Sequence, residues 1–247
     1  MFDPIRLEIF KNLFSAVADE MGVVLRRAAY SPNIKERRDF SCALFDADGR
    51  MVAQAAHIPV HLGSMPLSVA AAIARFPQLQ AGDVVALNDP YHGGTHLPDI
   101  TLVSPVFLPR QAKPFAFVAS RAHHADVGGM SPGSMPVARE IYQEGLILPP
   151  VRLARQGEID PDLLALILAN VRTPQERQGD LLAQLAANQR GAEPLLELVN
   201  RYGAVEVSQY MNELLAYTER MTRSLLASLP EDTAETAGID LRQVKFI

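Results

Sequence analysis

The hydrophobic positions of this chain change period partway along it. Near the start, Ile9, Leu13, Val17, Met21 and Val24 recur at spacings of three and four, the mark of one buried helix face. Asp3-Pro4 just before them supplies a capping acid followed by a proline at the first helical position. The pattern therefore predicts a helix to about Ala29, stopped by Ser31-Pro32. Residues 41–45 and 51–55 are largely apolar stretches flanking Asp46-Ala47-Asp48-Gly49-Arg50, which predicts a β-hairpin turning at the glycine. Residues 65–76 are alanine-rich and helical in pattern, while 83–87, 100–107 and 115–120 are β-like runs separated by Pro and Gly. From Asp160 onward the spacing becomes helical almost throughout. Leu163, Leu164, Ile167 and Leu168 form one stripe, and Leu195, Leu198 and Val199, then Met211, Leu214, Leu215, Met221 and Leu225, continue it. Thr173-Pro174-Gln175-Glu176 offers a cap, a first-turn proline and a capping-box glutamate. These elements predict an α+β protein, with a β-rich, loop-bearing region over 1–155 and a helical region over 156–247. Apolar stripes on several successive helices further predict an association surface, and hence a homo-oligomer.

Composition narrows the class. With 48% hydrophobic and 21% charged residues, the 247-residue chain is of ordinary soluble, globular make-up. Its formal charge of −5 is spread without long runs of one sign, so there is no basic patch of the kind nucleic acid requires. No apolar run approaches the roughly 20 residues that span a bilayer, and the charged N-terminus is not a secretory signal. Cys42 is the single cysteine, which excludes an internal disulfide and fits a reducing compartment, so a cytoplasmic location is expected. Set in an apolar strand, Cys42 reads as a small buried hydrophobe and not as a nucleophile.

The chemistry concentrates in the histidines. All six lie between His57 and His124, and the helical region has none. One cluster is Asn88-Asp89-Pro90-Tyr91-His92-Gly93-Gly94-Thr95-His96-Leu97-Pro98-Asp99, two imidazoles and two carboxylates on a loop made pliable by Gly93-Gly94. A turn brings side chains three apart together, so His96-x-x-Asp99 suits two ligands converging on one ion. The second cluster, His123-His124-Ala125-Asp126-Val127-Gly128-Gly129, follows a β-like run, where a strand end delivers polar groups into a glycine-lined loop. Histidine with carboxylate and no thiolate suits Zn²⁺, Mn²⁺ or Fe²⁺. The candidate metal residues are thus His96, Asp99, His123 and His124. In an extended segment the last two point to opposite faces, so one would be the ligand and the other a supporting or substrate-side group. Asp126, His124, His92 and Asp89 are the candidate catalytic groups, although His92 taken alone reads as a surface hydrogen bond.

Two further segments carry polar residues. Glu36-Arg37-Arg38-Asp39 places four charges directly before a strand. His57 and His61 flank Pro59, which forbids a regular helix through it, so they are not a one-face pair and read as packing or loop-anchoring histidines. Neither Gly93-Gly94 nor Gly128-Gly129 is followed by the Lys-Ser/Thr of a phosphate-cradling loop, so no ATP binding by this chain is expected.

At these residues the sequence resembles the hydantoinase B/oxoprolinase family, which includes N-methylhydantoinase beta subunits, the C-terminal part of 5-oxoprolinases and the large subunits of acetone and acetophenone carboxylases. The resemblance rests on residues 36–43, 55–65, 88–100, 120–129 and 142–150, in that order, and is expected to run from near residue 1 to about Pro230, leaving the pattern near 231–237. It implies that a hydantoinase A-type partner binds ATP and phosphorylates the substrate's amide or enolate oxygen. The activated intermediate then passes to a metal-centred site on the subunit resembled here. The family's ligand motifs fall on His96, Asp99 and His123 or His124, with Asp126 orienting an imidazole or acting as a base. The implied substrate is a small cyclic amide such as a hydantoin or 5-oxoproline. Ketone carboxylation by the same activation is the alternative, as is a non-catalytic scaffold, because the family's second half is absent from this sequence.

Overall fold

The computed structural model describes residues 3–57, 61, 63–133 and 135–228. Its centre is a seven-stranded sheet in which every neighbouring pair is antiparallel. The strands are β1 (Phe40–Asp46), β2 (Met51–Ala56), β3 (Val84–Leu87), β4 (Asp99–Val106), β5 (Ala116–His123), β6 (Val151–Arg155) and β7 (Glu158–Ile159), in spatial order β2-β1-β5-β4-β3-β6-β7. The helices are α1 (Pro4–Ala28), α2 (Pro32–Lys35), α3 (Met65–Arg75), α4 (Pro161–Ala169), α5 (Pro174–Tyr202) and α6 (Ala204–Ala227). The fold is α+β.

Both faces of the sheet are covered, which is why β1 and β5 are buried along their whole length. Alternation assigns the sides. Phe40, Cys42 and Leu44 of β1 and Val118 and Ala122 of β5 pack with Phe10, Phe14, Val17, Met21 and Leu25 of α1 and with apolar residues of α5 and α6. Ala43, Phe45, Phe117 and Ala119 face the other way, onto Met65, Val69 and Ala72 of α3. One hydrophobic cluster thus joins elements from both sides of residue 155. Burial pushes the Cys42 thiol far above its ordinary range, as an inert core cysteine requires.

The first helix starts as expected, with the Asp3 carboxylate accepting the Ile5 amide at 2.9 Å. α1 lies against α5 where Gly191 leaves room for the Met21 side chain. The predicted hairpin forms between β1 and β2. The Asp46 carboxylate holds its turn by accepting the amides of Asp48 and Arg50. β5 runs three residues beyond its apolar stretch, because Arg121 and His123 are polar yet keep pairing with β1 and β4. The β6–β7 hairpin and the short α2 carry too weak a pattern to be expected. The capping box at 173–176 is not made: Thr173 gives no side-chain cap, and Glu176 pairs with Arg177 instead. Asp180 of α5 accepts the Tyr30 and Ser31 amides, tying the α1–α2 link to the helical layer.

Of the helical stripes, most is consumed internally. Val207, Tyr210, Met211 and Leu214 of α6 are buried, with Tyr210 stacked on Phe10 at a ring separation of 4.4 Å. Toward the end of α6, Tyr217, Met221 and Leu225 are exposed, as are Leu166 of α4, Leu182 of α5 and Val205 at the start of α6. Among the described residues no helix is long and apolar enough to cross a membrane.

Candidate metal centre

Strand register builds the site. His123 ends β5 directly opposite Asp99, the first residue of β4, and on its other side the His123 amide donates to the Asp39 carbonyl at 2.9 Å, just before β1. Asp39, His123 and Asp99 therefore form one cross-strand row at the edge of the face that α3 covers. Arg38, in the left-handed region at φ 57°, turns the chain into this row. The loop from β3 to β4 brings His96 over it. Gly93, at φ 90°, makes that loop possible: its backbone presses on the Leu67 carbonyl of α3, and a side chain there would collide with it.

His96, Asp99 and His123 converge, with one ligand atom from each within 4.8 Å of the others. His96 Nδ1 is 3.2 Å from Asp99 Oδ2, His123 Nδ1 is 3.4 Å from Asp99 Oδ1, and His96 Nε2 is 3.2 Å from His123 Nδ1. Two further side chains join them. His61 Nε2 lies 3.4 Å from Asp99 Oδ2 and 3.8 Å from Asp39 Oδ1, and Asp39 Oδ2 lies 3.9 Å from His123 Nδ1.

This arrangement leaves polar atoms unanswered. His61 and Asp99 are each 1% exposed, yet His61 Nε2 and Asp99 Oδ1 have no hydrogen-bond partner among the described residues. Orphaned buried donors and acceptors are rare and costly. Here they point into a cluster of three imidazoles and two carboxylates, a donor set that suits a divalent transition metal. Ser41 Oγ, 3.1 Å from His61 Nδ1, can accept that nitrogen's proton and so leave the Nε2 lone pair for an ion. Burial pushes the Asp99 carboxyl up, but the surrounding imidazoles of His123, His61 and His96 outweigh it and hold the group far below the usual carboxylate range. Asp99 in turn holds His96 above its ordinary value, against partial burial.

Not every candidate joins this cluster. His124 points through the sheet to the opposite face, as alternation requires. It is fully buried, its Nε2 2.9 Å from Gln184 Oε1 of α5, and burial pushes its pKa down to about 4. His124, expected as a ligand or catalytic group, thus lies at the helix–sheet interface, apart from the cluster. Asp126 also lies apart from the cluster. Its carboxylate accepts the Gly128 amide at 3.0 Å and binds the backbone amide and the guanidinium of Arg172, so it ties the loop after β5 to the start of α5. His92 and Asp89 form a dyad with Nδ1 2.6 Å from Oδ2, on a short 3-10 turn (Pro90–His92) four residues before His96. The His92 side chain is 60% exposed. His57 packs on the Phe40 ring and stays out of the cluster.

Asp39 and His61 were not singled out as ligands from sequence. The signal for Asp39 was the charged run before β1. For His61 it was the clustering of histidines, whose weight the neighbouring Pro59 reduced.

The profile described as Hydantoinase B/oxoprolinase matches residues 3–244, past the segment where the resemblance was expected to end. A protein from Methanocaldococcus jannaschii is 44% identical over 232 residues, covering 92% of this chain and 41% of its own length. 5-Oxoprolinase 1 of Arabidopsis thaliana is 41% identical over 241 residues, covering 92% of this chain and 19% of its own. Caprolactamase subunit beta of Pseudomonas jessenii is 35% identical over 231 residues, covering 93% and 39%. The crystal structure of the ATP-dependent caprolactamase from that organism matches at a TM-score of 0.86 and 34% identity, over 93% of this chain and 40% of the solved one. The chain thus spans about two-fifths or less of each of these relatives. It belongs to the hydantoinase B/oxoprolinase family.

Proposed function

We propose that this chain is the metal-holding part of an ATP-dependent hydrolase of small cyclic amides, of the hydantoinase and 5-oxoprolinase kind. The observation that carries the reading is the convergence of His96, Asp99 and His123, joined by His61 and Asp39, with buried atoms left unpartnered at its centre. Names of relatives agree: a 5-oxoprolinase and an ATP-dependent caprolactamase. His96, Asp99 and His123 would hold a divalent Zn, Mn or Fe ion, with His61 and Asp39 completing or supporting the set. Such an ion would supply carbonyl polarisation and a bound water of lowered pKa.

The chain's own residues do the rest. The imidazoles of His123, His61 and His96 hold the Asp99 carboxyl far below the usual carboxylate range, which favours its ionised, metal-ligating form. Ser41 fixes the His61 tautomer. The His92–Asp89 dyad is built as a proton carrier, with Asp89 orienting Nδ1 and no protein partner given to Nε2 among the described residues. In this reading a hydantoinase A-type partner uses ATP to phosphorylate the amide oxygen, and the activated ring is opened at the present site.

The test is ring opening of 5-oxoproline or a hydantoin by the chain together with a hydantoinase A-type protein and ATP. Turnover that needs all components, and that falls at least about 100-fold in His96→Ala, supports the reading. Ring opening undiminished in His96→Ala would contradict it.

A further inference from the structure

Arg121 lies on β5 two residues before His123, and therefore on the same face of the sheet. It is fully buried. Nε donates to Thr101 Oγ1 at 2.8 Å, Nη2 to Ser68 Oγ at 2.7 Å, and Nη1 to Ser64 Oγ. Every partner is a neutral hydroxyl, and among the described residues no carboxylate forms an ion pair with this guanidinium. Two of the hydroxyls pass the contact on. Ser64 Oγ donates to the His61 carbonyl at 3.1 Å, and Ser68 Oγ donates to the Gly93 carbonyl. Their oxygens are thereby free to accept from Arg121, and the guanidinium pins both loops that bring histidines to the cluster.

A buried arginine whose hydrogen bonds all go to neutral hydroxyls is a poor way to stabilise a core, since an apolar side chain of similar volume would avoid the desolvation cost. Its charge matters for the neighbouring centre. Asp39 and Asp99 together carry two negative charges, which a divalent ion would cancel. With Arg121 counted, the centre is left with one net positive charge. The N-terminal turn of α3, from which Ser64 and Ser68 reach Arg121, adds the positive end of a helix dipole on the same side.

We propose that Arg121 is a positioning residue that sets the charge of the metal-loaded centre, making it a receptor for an anionic oxygen ligand, a carboxylate or phosphoryl group, and not for a neutral amide. This rests on the metal reading above. Arg121 does not touch the ligand; it acts through its field and through the two loops it holds.

The experiment uses the full chain and two probes. Zn²⁺ and Mn²⁺ are titrated separately by calorimetry, and inorganic phosphate is then titrated into the protein loaded with the tighter metal. Arg121→Met removes the charge while keeping much of the volume; Arg121→Lys keeps the charge and loses the fork. The methionine variant, loaded with metal, should lose at least about tenfold in phosphate affinity. The lysine variant should recover much of the phosphate affinity. A merely structural arginine leaves the phosphate affinity of the metal-loaded protein unmoved in the methionine variant, which overturns the proposal. Circular dichroism checks folding. If the methionine variant does not fold, the wild type decides, since its metal-loaded form must bind phosphate with a Kd below about 1 mM. Failure to do so overturns the proposal. Metal binding without these phosphate effects removes only the role of Arg121, whereas a wild type that binds neither metal removes the metal reading with it.

Discussion

Substituting alanine for Asp126 tests whether this carboxylate serves the metal centre or the frame around it. Its side chain is 7% exposed and accepts the buried Gly128 amide, the Arg172 amide and the Arg172 guanidinium. A buried donor left without its acceptor costs about 1–3 kcal/mol, and hydrogen bonds to a charged acceptor sit toward the upper end of that range. The ion pair adds less than a buried one would, because Arg172 is 41% exposed and solvent screens it. The expected loss is about 2–4 kcal/mol of unfolding free energy, read from urea melts at fixed pH. Metal affinity, measured by calorimetry well below the unfolding transition, should change less than about threefold, since no ligand atom moves. A variant that keeps its stability but loses metal by a factor of ten or more would refute this placement and return Asp126 to the site.

Other consequences follow from neighbouring residues. His124 is held neutral by burial, with a folded pKa of about 4 against an ordinary 6.5. The unfolded chain therefore binds more protons between those values, and the associated stability is present above pH 6.5 and lost as pH falls toward 4. His124→Gln should flatten the stability profile in that window by up to about 3 kcal/mol; an unchanged slope would show that His124 titrates normally. Ser41→Ala frees the His61 tautomer and should weaken metal binding by about 10–100-fold with little effect on folding, and unaltered affinity would remove His61 from the ligand set.

Much of the layout is legible in the residues themselves, and what is not has identifiable physical causes. Asp3-Pro4 and the turn at Gly49 are local signals, and they give α1 and the β1–β2 hairpin directly. The His96-x-x-Asp99 motif and His123 are likewise visible as glycine-framed clusters, and the structure brings those three together. Strand alternation decides between His123 and His124, but only once the pairing of β5 with β1 and β4 is known. Asp39 enters the site by that same register, a long-range property that no window around Asp39 contains. His61 is held by Ser41 and by the Ser64–Arg121 contact, each from a different element. Asp126 and Arg172 show the reverse: a cluster that looks catalytic in sequence becomes a clamp, because the partner that claims it lies 46 residues away on the approach to α5.

The central claim is that three converging side chains hold one ion. Metal content by plasma mass spectrometry, measured on the purified chain after saturation and desalting, tests it most directly. About one equivalent of Zn, Mn or Fe is expected in the wild type, and less than about a tenth of that in either His96→Ala or Asp99→Ala with folding intact. Equal metal content in the wild type and both variants would contradict the site.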